Sequence, residues 1–391
     1  MRLWLSAGSL VWAAAALGGP VEEGFGHFYN LEYDEALASF RQAIDADAAN
    51  PRLYNHVAQT VLYRELYRVG ALESELVSGA NPFLRRPKVK PTPEDEKQFD
   101  DAISAAMSLA NERLAQKPDD VSALYSLGVS YGLRANYNFL IRKAWMDALR
   151  DATTARKLHD RVVRIDPSFV DARLIPAVHD YVVGSLPWHW KLLGFLVGFR
   201  GDKQRGIAAL ELIARRGALN REDAKILLCA VYRREREPAK AVVHLTDLIP
   251  RFPRNYILRF ELVQMYSDLG KKDEALAVLR EMEELKRAGA PGYARLAWEK
   301  IWFSRGTLLF WYRDFDQAVA DFQRVTARPQ AVDLNTEVQA WLRLGQTYDL
   351  IGKRSQALRA YQQAIRSAPD SDQAREARRY LQAPYRRKDV G

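Results

Sequence analysis

A register of large and small residues returns every 34 positions along this chain, the distance from residue 222 to residue 256. Near the C-terminus it places Trp341, Leu344, Gly345, Tyr348, Ala357, Tyr361, Ala364 and Pro369. Residues 222–255 repeat it through Leu228, Cys229, Tyr232, Ala241, Leu245, Leu248 and Pro253. Residues 256–289 follow without a gap, carrying Leu262, Tyr266, Gly270, Ala275 and Leu279. A looser copy at 299–332 holds Trp302, Gly306, Leu309, Phe315, Ala318 and Phe322, with Pro329 one place early. Apolar positions at helical spacing, closed by proline, describe two antiparallel helices and a turn. One such hairpin cannot bury its apolar stripe alone, so neighbours must stack on it and form a long concave face. Small residues at Gly345, Gly306, Ala357, Ala318, Ala275 and Ala241 mark where the helices of a pair approach most closely.

The N-terminal half keeps the register but stretches it. In 121–167, Leu124, Leu127, Gly128 and Tyr131 fit a first helix, and Ala155, Val162 and Pro167 fit a second only with about fifteen residues inserted between them. In 51–118, Tyr54, Val57 and Val61 precede a larger insertion, and Ala106, Ala110 and Pro118 follow it. Four prolines between Gly79 and Pro93 predict a surface loop there. Tyr33, Ala36, Phe40 and Ala43 read as the second helix of a short opening repeat, and Asp372 to Leu381 reads as a charged capping helix. The expected organisation is a leader at 1–19, stretched repeats at 20–217 with insertions at 79–93, 132–154 and 185–202, regular repeats at 218–371, and a cap with a basic tail at 372–391.

The pattern of large residue, Leu-Gly, aromatic, Ala, aromatic, Ala and Pro resembles the tetratricopeptide repeat. That resemblance implies an all-α solenoid of seven or eight helix pairs in a right-handed superhelix. It also implies that certain positions of each first helix point into the concave groove. Carried over, these are Asn55, Gln59, Tyr63, Tyr125, Arg233, Phe260, Gln264, Phe303, Thr307, Trp311 and Gln346. Aromatics beside amides suit an extended peptide, whose backbone the amides can pair. The family's carboxylate clamp for chaperone tails is not matched, because Asn55 and Gln59 stand where Lys and Asn would be. A second, shorter resemblance covers roughly 170–217. Gly184, Ser185, Leu186, Pro187, Gly198, Phe199, Gly201, Asp202, Gly206 and Leu210 are similar to the central segment of the eukaryotic inclusion-body-clearance family of repeat proteins, which implies an adaptor without catalysis.

Met1 and Arg2, an apolar run from Leu3 to Leu17 and the small residues that follow read as a secretory leader cut near Gly18. An uncleaved anchor is the alternative. Export places the chain in a periplasm or outside the cell and argues against nucleic acid as a partner. The whole sequence carries 58 Lys or Arg against 49 Asp or Glu, a net charge of +9. Its most asymmetric stretch runs from Arg134 to Arg164 and suits either an acidic partner, an anionic surface or a solvated helix face.

The chain carries no HExxH, GxSxG, GxxxxGK[ST] or CxxC pattern and a single cysteine, Cys229, so neither an enzyme, a cofactor, a metal nor an internal disulfide is expected. Segment 185–202, with Trp188, Trp190, Phe195 and Phe199, is too apolar for an ordinary connection and too broken to span a bilayer. It reads as a lid folded over the inner channel or as an interfacial hook. Three functions stay open at this point: a scaffold for a protein or extended peptide, a small-molecule or lipid carrier closed by that insert, and a peripheral membrane adaptor. Oligomeric state is not legible.

Overall fold

Helix starts along the chain are written as Asx or Ser caps. Asn50, Asp120, Asn255, Asp333 and Ser371 each accept a first-turn backbone N–H, which satisfies a donor the helix leaves orphaned. The computed structural model describes residues 19–72, 90–185 and 201–387. Within them lie 17 α-helices and no strand.

The first eight helices are α1 (Pro20–Tyr29), α2 (Tyr33–Ala46), α3 (Pro51–Arg68), α4 (Pro93–Gln116), α5 (Val121–Tyr137), α6 (Trp145–Ile165), α7 (Leu174–Gly184) and α8 (Lys203–Arg216). The regular half continues with α9 (Arg221–Arg234), α10 (Pro238–Arg251), α11 (Tyr256–Asp268), α12 (Lys272–Arg287), α13 (Trp298–Trp311), α14 (Phe315–Thr326), α15 (Leu334–Leu350), α16 (Arg354–Ser367) and α17 (Asp372–Gln382). Taken two by two they form eight hairpins, and α17 covers the last of them, burying Ala374 and Ala377.

One contact recurs inside the hairpins. A Cβ built on Gly24 would lie 2.5 Å from the Phe40 ring, on Gly306 3.0 Å from Phe322, and on Gly345 2.5 Å from Tyr361. Each ring stands sixteen residues after its glycine and is fully buried. The Ala four residues before each ring, Ala36, Ala318 and Ala357, is likewise fully buried. In the third hairpin Gly128 meets His159 instead, because that hairpin is longer. Residues 132–154 do not loop out. They extend α5 to Tyr137, make a π-helical turn at Asn138–Arg142, and start α6 at Trp145. Tyr137 stacks on Phe99 of α4 at 4.0 Å, and Arg142 reaches Glu96 and Asp100 at 3.0 and 2.7 Å, so the extension is tied to the preceding hairpin.

The expected loop at 79–93 lies mostly outside the described residues, and Pro93 already heads α4. The leader lies outside them as well. Among the described residues no helix is long and apolar enough to cross a membrane.

The solenoid's first turn closes on itself. The turn after α1 docks on the turn between α10 and α11, more than two hundred residues away. Asn255 donates to the Tyr29 carbonyl at 2.8 Å, and Asn30 accepts the Arg254 N–H at 2.9 Å. Arg254 pairs with Glu32 at 2.6 Å, the Tyr29 and Phe252 rings meet at 4.9 Å, and the Tyr67 and Tyr256 hydroxyls lie 3.1 Å apart. One continuous apolar core therefore runs from Phe28 to Met265.

Two outcomes follow from these contacts. Gly345→Ala drives a methyl into the Tyr361 ring and should cost about 1–3 kcal/mol in urea unfolding, with a smaller cost in a Tyr361→Leu background. Asn255→Ala removes both the α11 cap and the closing bond to Tyr29, and is expected to cost about 2 kcal/mol, whereas Asn255→Ser keeps the cap and should lose about half of that.

Candidate functional site

Nine of the eleven nominated groove residues fall in two places. Phe260 and Gln264 on α11 and Phe303, Thr307 and Trp311 on α13 converge on one groove of about 150 Å³, which Asp333 and Thr336 close from the α15 side. Trp311 is 43% exposed. Its ring carries the guanidinium groups of Arg343 and Arg387, each 5.1 Å from the ring centroid. Burial pushes the Arg343 guanidinium below its usual range. Gln264 uses its amide N–H on Asp268 at 2.7 Å, and the Thr307 hydroxyl has no hydrogen-bond partner among the described residues. The groove thus presents two phenyl rings and an indole, with the Thr307 hydroxyl buried behind them.

Asn55, Gln59, Tyr63 and Tyr125 lie elsewhere, on the wall of a chamber of about 2250 Å³ inside the closed turn. Two of them are already committed. Asn55 is 2% exposed, donates to the Ser126 carbonyl at 2.8 Å and accepts from Ser130 at 2.7 Å. The Tyr125 hydroxyl accepts from Asn220 at 2.8 Å, pinning α5 to the turn before α9. That turn is itself held by Asp171, whose carboxylate accepts three successive backbone N–H groups from Ala218, Leu219 and Asn220. Buried polar groups need such partners, and these spend theirs on the fold.

Arg233 faces Glu261 across the α9–α11 seam at 3.4 Å. Gln346 is 1% exposed and sits under the cap, accepting from Arg343 and donating to Glu376. The structure therefore puts Gln346 inside the C-terminal core. Trp188, Trp190, Phe195 and Phe199 lie outside the described residues. Their flanks are described: a Cβ on Gly201 would sit 2.7 Å from the Gly184 nitrogen, and one on Gly206 2.6 Å from the Tyr181 nitrogen. Asp202 caps α8. These glycines and the cap let α7 and α8 pack closely, a structural reason for the motif noted at 170–217.

The chamber wall holds ionisable groups in unusual states. Burial, reinforced by the positive charge of Arg52, pushes the His56 imidazole down to about 3, so it is neutral. Asp223, closely surrounded by protein and facing Tyr29, is pushed up to about 6 by burial, with Glu222 and Asp171 adding to the rise and the Tyr29 bond opposing it. Among the described residues no group of three or more His, Cys, Asp or Glu side chains stands together as a metal cluster would. The sequence reading expected an inner channel closed by the 185–202 insert but missed the wall that bounds this chamber, because that wall depends on the closure between α1 and the α10–α11 turn.

A family model described as the tetratricopeptide repeat matches residues 339–371. That match marks residues 339–371 as a tetratricopeptide repeat within an all-α solenoid of eight stacked hairpins. Among solved structures it is similar to the Pseudomonas aeruginosa protein PilF, at 15% identity and TM-score 0.41, over 67% of this chain and 99% of that one. It is also similar to yeast Tom70, at 12% identity and TM-score 0.40, over 93% and 94% of the two chains. YrrB, described as a repeat protein with an unusual peptide-binding site, aligns at 16% identity and TM-score 0.30 over 69% of this chain and 97% of its own. No curated protein matches the sequence.

Asp223 yields a pH test. Its folded-state value near 6 exceeds the ordinary 3.8, so the folded state holds the proton more tightly. The stability this contributes is present below pH 3.8 and is lost as pH rises through 6. Asp223→Asn should therefore gain on the wild type by up to about 3 kcal/mol between pH 4 and pH 7, read from urea midpoints at each pH.

Proposed function

We propose that this chain is a non-catalytic binding scaffold that takes an extended peptide segment of a protein partner into the groove between α11 and α13, and that it works outside the cytoplasm. One observation carries the reading: Phe260, Gln264, Phe303, Thr307 and Trp311, drawn from two successive first helices, meet on one surface. Rings of this kind serve as anchors for apolar side chains, and a small fraction of contact residues, enriched in Trp, Tyr and Arg, supplies most of the affinity at such surfaces. The Gln264 carbonyl, on the side chain whose N–H groups reach Asp268, is suited to a peptide backbone, which always brings its own donors and acceptors. The groove holds about 150 Å³, the space of a large side chain, so it would seat an extended segment by one anchoring side chain. The tetratricopeptide match supports a protein partner, and the sequence from Met1 to Gly19 supports export.

The test is a peptide-display selection on the full chain. Selected peptides should lose at least tenfold in affinity to a Trp311→Ala/Gln264→Ala variant whose circular dichroism is unchanged, the scale expected for a hot spot worth about 2 kcal/mol. Peptides that bind this variant as tightly as the wild type would remove the groove from consideration.

A further inference from the structure

We infer that the chamber inside the closed first turn is a binding site for an acyl-chain amphiphile with an anionic headgroup. This goes beyond the scaffold reading and uses none of the α11–α13 groove's ring and amide residues.

Size and lining come first. At about 2250 Å³ the chamber exceeds twice the roughly 1,000 Å³ upper range of ordinary small-molecule pockets. Its wall leaves large apolar side chains uncovered: Trp145, Met146 and Leu149 on α6 and Val182 on α7 are 45%, 73%, 45% and 50% exposed. These four are half of the eight large hydrophobics that stay exposed among the described residues. Folded chains bury such side chains against each other where they can, and a contiguous apolar face left open marks a ligand or partner site. Phe25 and Ile175 continue the same wall from α1 and α7.

Charge then narrows the ligand. Six Lys or Arg lie on this wall against three carboxylates, Glu22, Glu222 and Asp223. Glu222 is already engaged by Arg251. Arg52, Arg156 and Lys157 make no salt bridge among the described residues, with Asp160 acting on Arg156 only through space, although neighbouring basic residues do: Arg134 pairs with Asp151, Arg142 with Asp100 and Arg161 with Asp119. Arg156 and Lys157 lie two to three turns along α6 from Leu149 and Trp145. Unpaired cations a short distance from an apolar wall match a molecule with a long hydrocarbon chain and a negative end. A peptide would need partners for its backbone along the whole path, and the stretch formed by Phe25, Met146, Leu149, Ile175 and Val182 offers none from its side chains.

The full chain, purified without detergent and then extracted of bound lipid, is titrated with oleate, with uncharged monoolein, and with phosphatidylglycerol vesicles. Saturable uptake of oleate is expected, strengthening steeply from lauric to palmitic acid at about fourfold per buried methylene. Leu149→Gln/Val182→Gln, two exposed positions, should weaken oleate at least tenfold with unchanged circular dichroism. Arg156→Ala/Lys157→Ala should weaken oleate and leave monoolein as it was. Uptake of phosphatidylglycerol in preference to oleate assigns the site to a phospholipid, and the reverse preference assigns it to a free fatty acid. The inference is overturned if the extracted chain takes up none of the three lipids, or if Leu149→Gln/Val182→Gln binds oleate like the wild type. Equal binding of monoolein and oleate would overturn the anionic headgroup. Because these positions lie outside the α11–α13 groove, failure here leaves the peptide test untouched.

Discussion

The close seating of a ring against a glycine governs this fold. Where Gly24, Gly306 and Gly345 meet Phe40, Phe322 and Tyr361, a side chain larger than hydrogen would push the two helices of a hairpin apart. The interhelical distance of the hairpin fixes the face it offers to the next one, and the curvature of the superhelix accumulates from those small rotations. Cys229 occupies the same place in the fifth hairpin, buried with its thiol directed at the Ala241 carbonyl, and the residue sixteen positions on is Leu245 rather than a ring. Burial holds that thiol protonated, so it acts as a small apolar filler.

Much of this was legible in the sequence because repeats write their packing locally. Gly345 and Tyr361, or Ala357 and Ala364, lie within one period of each other, and their spacing alone states which helix faces which. The third hairpin shows the limit of that reading. Its extra residues broke the register and read as an insertion, yet Tyr137 and Arg142 find stacking and ionic partners on α4, so the helices simply run on. The closure that bounds the chamber was invisible for a different reason. It exists because Asn30, Tyr29 and Tyr67 meet residues 252–256, and no periodicity encodes a contact between the first two hairpins and the boundary of the fifth and sixth.

The candidate surfaces divide along the same line. Phe260, Phe303 and Trp311 were nominated from their positions in a repeat and do share a groove, because neighbouring repeats present equivalent positions side by side. Asn55 and Gln346 held equivalent positions but face Ser126, Ser130 and Glu376 at closed seams, where an unpaired amide would carry a desolvation cost. The basic run from Arg134 to Arg164 likewise looked uniform. Four of its arginines turn out to be matched by carboxylates on α4, α6 and the turn before α5, whereas Arg156 and Lys157 make no salt bridge among the described residues and stand on the chamber wall.

Closure of the first coil also has a mechanical side. An open array of hairpins stretches and recoils like a spring, because each unit touches only its neighbours. Here Asn255, Arg254 and Phe252 latch the first unit onto the fifth and sixth, so the N-terminal coil behaves as a stiff hoop. Compliance is left to the hairpins beyond it, and a load applied to α15–α17 would be absorbed there before it reached the hoop.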